Sequence, residues 1–172
     1  MGLGYATSDR GGCHMRAFSA GDDILGGSGP AHSLEGRAQL VADLQDFSAL
    51  AWTGVWCANM FLDTDFIGAH LRHLWRRDVS AEEMLATGAR IWNLGRLLNL
   101  REGLRRRDDR LPERILREPH PDGASAGQSI GAAAFEQALD EYYRVRGWDA
   151  EGVPLPETLE RLAVDVEPYR AD

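Results

Sequence analysis

Residues 80–103 read S-A-E-E-M-L-A-T-G-A-R-I-W-N-L-G-R-L-L-N-L-R-E-G, and this stretch decides the fold class. Met84, Gly88, Ile91, Trp92 and Leu98 recur at three- and four-residue steps, the period of one helix face. Ser80 and Glu83 stand three apart at its start. That is the spacing of a capping box, in which serine and glutamate reciprocally satisfy the free N–H groups of a first turn. The pattern predicts a helix that ends before Gly103.

Toward the carboxy terminus, Ala132–Arg146 carries Phe135, Leu139 and Tyr142 on one side. It stops at Gly147, a residue suited to the left-handed position that closes a helix. Pro154 and Pro156 then start a short final helix, because proline is tolerated in a first turn. Toward the amino terminus, Leu34, Val41, Leu44 and Ala51 keep helical spacing behind Ser33 as N-cap, and the run breaks at Thr53–Gly54. Asp63 caps a further helix, with Phe66, Ile67, Leu71 and Leu74 on one side. Gly2–Pro30, rich in Gly, Ser and Asp, reads as irregular with one short helical turn. No alternating pattern is long enough for a sheet, and no repeat is visible. The expected fold is mainly α: an irregular Gly-rich segment, residues 1–32, followed by a helical bundle over 33–172.

Composition narrows the function. The 172 residues hold enough apolar material, 44%, for a sizeable core. A net charge of -8 disfavours nucleic acid and anionic membrane as partners. The most apolar stretch, Ala49–Leu62, is shorter than the ~20 residues that span a bilayer. Nothing at the start reads as a signal peptide, so a soluble cytoplasmic protein is expected. All nineteen basic residues are arginine. That removes Schiff-base lysine chemistry and the lysine of a phosphate-binding loop. Gly2-x-Gly4 lacks the third glycine and the preceding strand of a dinucleotide fingerprint. His70 and His73 share a helix face, but no third metal ligand follows at a recognisable spacing. The arginines of Arg101–Arg117 alternate with Glu102, Asp108, Asp109 and Glu113, as on a solvated face laced with ion pairs.

Residues 8–16, S-D-R-G-G-C-H-M-R, set Cys13 and His14 beside two glycines. The other cysteine, Cys57, lies in the apolar run W-T-G-V-W-C. Two cysteines so far apart make neither a closed zinc site nor a disulfide framework. The ordinary expectation for each is a small buried hydrophobe.

The order of these stretches carries more than any one of them. G-L-G-Y-A-T-S-D-R-G-G-C-H-M-R-A is followed by a helix leading to W-T-G-V-W-C. Then come I-W-N-L-G-R-L-L-N-L-R-E-G-L-R-R-R-D-D-R-L-P-E-R and F-E-Q-A-L-D-E-Y-Y-R-V-R-G-W-D-A-E-G-V-P. From Gly2 to about Leu162 this succession resembles the C-terminal region of the aldehyde ferredoxin oxidoreductase family. The resemblance implies helical domains covering a tungsten (or molybdenum) bis-pterin centre and a [4Fe-4S] cluster. It implies oxidation of aldehydes to carboxylic acids, with electrons passing through the cluster to ferredoxin. Cys57 matches the fourth cluster ligand, the cysteine of a D-x-x-G-L-C motif whose aspartate contacts a pterin. R-G-G-C-H makes His14 the candidate proton-transfer group near the metal, imidazole being able to give and take a proton near neutral pH. Gly11 and Gly12 would let the backbone approach the cofactor, and Cys13 is left to packing.

Two departures stand beside the match. Trp52 occupies the place of the motif's aspartate and Val55 that of its glycine, and an indole cannot accept a hydrogen bond from a pterin amine. The other cluster cysteines and the remaining pterin motif belong to an N-terminal portion or subunit. Without it the isolated chain is expected to hold neither group. The alternative is a truncated or degenerate relative without redox activity, acting as a helical protein-interaction module.

Overall fold

The computed structural model describes residues 1–25, 33–60 and 62–167. Among them, Ala81–Arg101 (α5) is the longest helix, starting and stopping where its spacing predicts. Ser80 Oγ accepts the Glu83 N–H at 3.1 Å. The reciprocal half of the capping box is not made. The Glu83 carboxylate is drawn to the Arg77 guanidinium instead, with contacts of 3.0 and 2.5 Å.

The other helices are α1 (Gly2–Ala6), α2 (Ala20–Leu25), α3 (Arg37–Thr53), α4 (Thr64–Trp75), α6 (Glu113–Arg117), α7 (Ala132–Arg146) and α8 (Pro156–Arg161). Among the described residues no strand forms, only isolated bridges joining Asp9 to Gly11 and Trp148 to Pro154. The mainly α expectation therefore holds. The end of α7 is also as expected: Gly147 takes φ +67 and closes the helix. Pro156 stands in the first turn of α8.

Several expectations are corrected. The N-cap of α3 is Gly36, at φ +69, and not Ser33. Ser33 Oγ instead accepts the Glu35 N–H, a local turn that competes with helix entry. On α4 Asp63 does cap, accepting the Phe66 N–H at 2.8 Å. Only Ile67 and Leu71 of its four apolar candidates are buried, while Phe66 and Leu74 are exposed. The described part of Gly2–Pro30 contains two short helices and not one turn. Leu3, Ala6 and Ala17 enter the main core, so tertiary packing overrides the low helix propensity of a Gly-rich segment.

α3 is the hub, packed against α5 and α7. Buried Leu3, Val41, Trp92, Phe135, Leu139 and Tyr142 form the main core. Each fully buried side chain of this size contributes roughly 1.5–3 kcal/mol. A second cluster of Leu50, Ala51, Ile67, Leu71 and Met84 joins the end of α3 to α4 and the start of α5.

Two buried polar networks hold the bundle in register. In the first, the Arg96 guanidinium grips the Asp109 carboxylate through Nη1 at 3.0 Å and Nη2 at 2.8 Å. Its Nε donates to the Gly152 carbonyl at 2.8 Å, and the Tyr143 hydroxyl donates to Asp109 Oδ2. Burial pushes the Tyr143 phenol's pKa up, and its bond to Asp109 adds to this. Asp109, read in sequence as part of a solvated face, is thus 6% exposed and internal. The rest of the arginine run behaves as expected, with surface pairs such as Arg114–Glu118 and Arg117–Glu113.

In the second network, Arg146 on α7 donates to Gln45 Oε1 at 2.7 Å and to the Ala42 carbonyl at 3.0 Å. It also pairs with Asp46. The Tyr142 hydroxyl donates to Gln45 Oε1 at 2.7 Å and accepts from Trp92 Nε1 at 3.0 Å. Gln45 Nε2 donates onward to Thr7 Oγ1 at 3.0 Å. One chain of bonds therefore ties the end of α1 to α3, α5 and α7, and every buried polar group in it finds a partner.

Candidate functional site

The end of α3 and the loop after it carry Cys57, the candidate ligand. Thr53 closes the helix, with its Oγ1 donating to the Leu50 carbonyl at 2.7 Å. Val55 follows with φ +59, a left-handed conformation in which its side chain is 92% exposed. A β-branched residue is strained there, in a backbone conformation that favours glycine. Replacing Val55 with glycine removes strain of about 1–2 kcal/mol, against a smaller entropic cost in the unfolded chain. A net gain of about 0.5–1 kcal/mol is expected, read as a higher midpoint in urea.

Cys57 comes next and is exposed, at the edge of a 3₁₀ turn, Ala58–Met60. The expectation of a buried cysteine fails here because the apolar run around it is only partly internal. Trp52 and Trp56 pack against the second cluster, while Val55 and Met60 face outward. Phe61 lies outside the described residues. Trp56 also meets the rings of Phe66 and His70 on α4, with centroids 5.9 and 5.5 Å apart. His70 Nδ1 lies 2.9 Å from the Phe66 carbonyl. Among the described residues no group of three or more His, Cys, Asp or Glu side chains is placed to hold a metal ion, His70 and His73 included.

The Arg10–Arg16 segment is brought against this end of α3. The Arg16 guanidinium carbon lies 3.5 Å from the centroid of the Trp52 ring, and that of Arg10 lies 5.0 Å from it. Arg16 Nε also pairs with Asp9 at 2.8 Å, and the Asp9 carbonyl accepts from Asn99 Nδ2 at 2.9 Å, anchoring the segment to α5. Burial pulls the Arg16 guanidinium's pKa down, while Asp9 acts against it.

Cys13 is half-buried. Its Sγ accepts from Arg10 Nη2 at 3.1 Å. Partial burial pushes the thiol up, but Arg10 and the backbone of Met15 and Arg16 outweigh it and hold the pKa below the ordinary value. Cys13 is only partly buried, where a small buried hydrophobe is expected from sequence. His14 is exposed and meets Phe18 edge-on, with ring centroids 6.2 Å apart. Gly11 takes φ +83, and a Cβ added there would meet nothing within 4 Å. At Gly12 the nearest neighbour of an added Cβ is the Tyr5 ring at 3.8 Å. Both glycines are open to the outside.

Against this geometry, a sequence model described as "Aldehyde ferredoxin oxidoreductase, domains 2 & 3" matches residues 1–164. The chain belongs to the aldehyde ferredoxin oxidoreductase family. It is similar to the tungsten-containing aldehyde ferredoxin oxidoreductase of Pyrococcus furiosus, 36% identical over 169 residues, or 95% of this chain and 27% of the relative. The enzyme of the same description from Thermococcus kodakarensis is also 36% identical, again over 95% of this chain and 27% of its own length. The chain thus spans little more than a quarter of these relatives, and within the family it corresponds to their C-terminal part. No helix among the described residues is long and apolar enough to cross a membrane.

The family's cofactors can be tested against the residues present. An exposed thiol on a short turn fits one corner of an iron–sulfur cluster, whose iron atoms take thiolate ligands. Cys57 meets that requirement, and Cys13 sits in a different segment, bonded to an arginine. The pterin contact expected at the motif's aspartate does not fit, because an indole stacked on a guanidinium stands there. The segments that carry the resemblance also separate by role. N-L-G-R, D-D, D-E-Y-Y and R-G-W-D-A-E-G meet in the buried Arg96–Asp109–Tyr143–Gly152 network, and their work is to hold the bundle together. Sequence reading misses this because the partners are scattered along the chain.

Proposed function

We propose that this chain is the C-terminal part of an aldehyde ferredoxin oxidoreductase-like enzyme and supplies Cys57 as one thiolate ligand of a [4Fe-4S] cluster. An N-terminal portion carrying the other cluster cysteines and pterin contacts completes it, with ferredoxin as electron acceptor and aldehydes as substrates. The observation that supports this best is the exposed Cys57 on its turn. Val55, Met60 and Phe66 are exposed around it and Leu74 and Trp75 further along α4, side chains that a larger protein would cover. The cluster, when bound, supplies one-electron transfer. On this chain's side, Cys57 would hold iron, and Trp56, packed on Phe66 and His70, would fix the direction of the Cys57 loop. His14, exposed within an anchored segment, would take the proton released when an aldehyde is oxidised.

Co-expression with an N-terminal chain of the family tests the reading. Cys57→Ser is expected to remove the cluster, because an alkoxide is a poor replacement for a soft thiolate on iron. His14→Ala is expected to keep the iron and slow aldehyde-dependent dye reduction by about 10²–10⁴-fold. Full turnover in His14→Ala would make this histidine structural. One observation favours a second reading, a non-redox interaction module: Trp52 and Arg16 stand where a cofactor contact is expected. Under that reading neither substitution changes bound iron.

A further inference from the structure

The Trp52–Arg16 stack has consequences beyond the role of Cys57. Arg16 covers the indole at 3.5 Å and Arg10 approaches it at 5.0 Å. Asp9 and Asn99 hold this arginine segment in place. The space left beside the ring is a cavity of about 240 Å³ bounded by Asp9, Arg16, Ala49, Trp52, Ile91 and Trp92. Sites that enclose a small organic ligand usually run to about 300–1,000 Å³, so this one is small even for a compact heterocycle. It lies between α3, α5 and the loop that carries Asp9 and Arg16. A second cavity, of about 800 Å³, is bounded by Met1, Leu3, Arg37, Ile115 and His120 and includes none of the site residues.

We infer that Trp52 has exchanged a cofactor contact for an internal one: stacked on Arg16, it clamps the His14 segment to α3 and closes this loop to a pterin. A carboxylate at position 52 would accept hydrogen bonds from a pterin's amine and ring N–H groups, and an indole offers no acceptor. The indole's other asset, its electron-rich face, is already used by a guanidinium, and such a pairing is strongest where water is partly excluded. The left-handed backbone at Val55 persists beside it, so the loop keeps its shape while its ligand chemistry changes. The inference rests on the family's assignment of this loop and is independent of whether Cys57 binds iron.

A double-mutant cycle on the isolated chain, Trp52→Leu with Arg16→Leu, tests the clamp by urea unfolding. The coupling is expected to change the folding equilibrium by about two- to thirtyfold. Additive effects would overturn the clamp. Closure is read separately, by titrating the chain with a soluble 6-carboxypterin. Saturable binding to the wild type that Trp52→Leu abolishes would overturn it. In the co-expressed complex, the pterin recovered as its fluorescent oxidised form is expected to rise several-fold per cluster in Trp52→Asp/Val55→Gly. Equal recovery from wild type and variant would overturn closure. A complex without iron would sink the role of Cys57 as a ligand, and the cycle and the titration would then decide clamp and closure by themselves.

Discussion

Replacing Asp109 with alanine is expected to remove about 3–5 kcal/mol of stability, the usual cost of breaking a buried ion pair from one side. Arg96 would keep its charge at 6% exposure with its fork unfilled, and the Tyr143 hydroxyl would lose its acceptor. A domain of this size is commonly stable by only about 5–15 kcal/mol, so the variant stands near the edge of unfolding. Urea denaturation followed by circular dichroism measures the loss. Arg96→Met with Asp109→Leu separates charge from packing. If the damage comes from an uncompensated charge, the double variant recovers much of the loss. If the double variant is as unstable as Asp109→Ala, the bond to Gly152 and the packing of the Arg96 guanidinium over the Trp148 ring, 4.9 Å from its centroid, matter more than the pair.

Gly88→Ala is expected to destabilise by about 2 kcal/mol or more, although alanine is the better helix former by roughly 1 kcal/mol. A Cβ at residue 88 would lie 2.0 Å from the Asp46 carbonyl oxygen and 2.6 Å from its carbon. Those are backbone atoms of α3, which cannot swing aside as a side chain would. α3 and α5 would have to part, loosening the main core between them. A lower midpoint with unchanged denaturant slope is the expected signature. An unchanged or higher midpoint would mean that the two helices are not held this close in solution.

The difference between these two sites shows what the sequence makes legible. Gly88 stands out at once, because it recurs in register with Met84 and Trp92 on a helix face. The start of α4 at Asp63, the end of α7 at Gly147 and Pro156 in α8 are equally readable, since caps and breakers act on their own neighbours. Asp109 is not readable. Its burial depends on Arg96, thirteen residues earlier, and on Tyr143, much later, and among its neighbouring arginines it looks like any surface acid. α1 escapes notice for a related reason: Leu3 and Ala6 are held by α3 and not by local propensity. At the candidate site, Cys57 is a candidate by resemblance alone, and its exposure cannot be inferred from an apolar run. The stacking of Arg16 on Trp52 joins residues thirty-six positions apart, and neither side chain announces the other.

The bond from Tyr142 to Gln45 spans 97 residues, that from Arg96 to Gly152 spans 56, and Arg90 reaches the Leu162 carbonyl across 72. A ribosome delivers the chain from its amino end, so Gln45, Asp46 and Trp92 emerge well before the partners that bond to them. Until α7 leaves the exit tunnel, α3 and α5 expose apolar faces and unpaired polar groups together. A pause in translation before residue 142 would prolong that exposure. Synonymous codon changes in the stretch encoding residues 100–140 should therefore alter the yield of folded protein while leaving its final stability untouched.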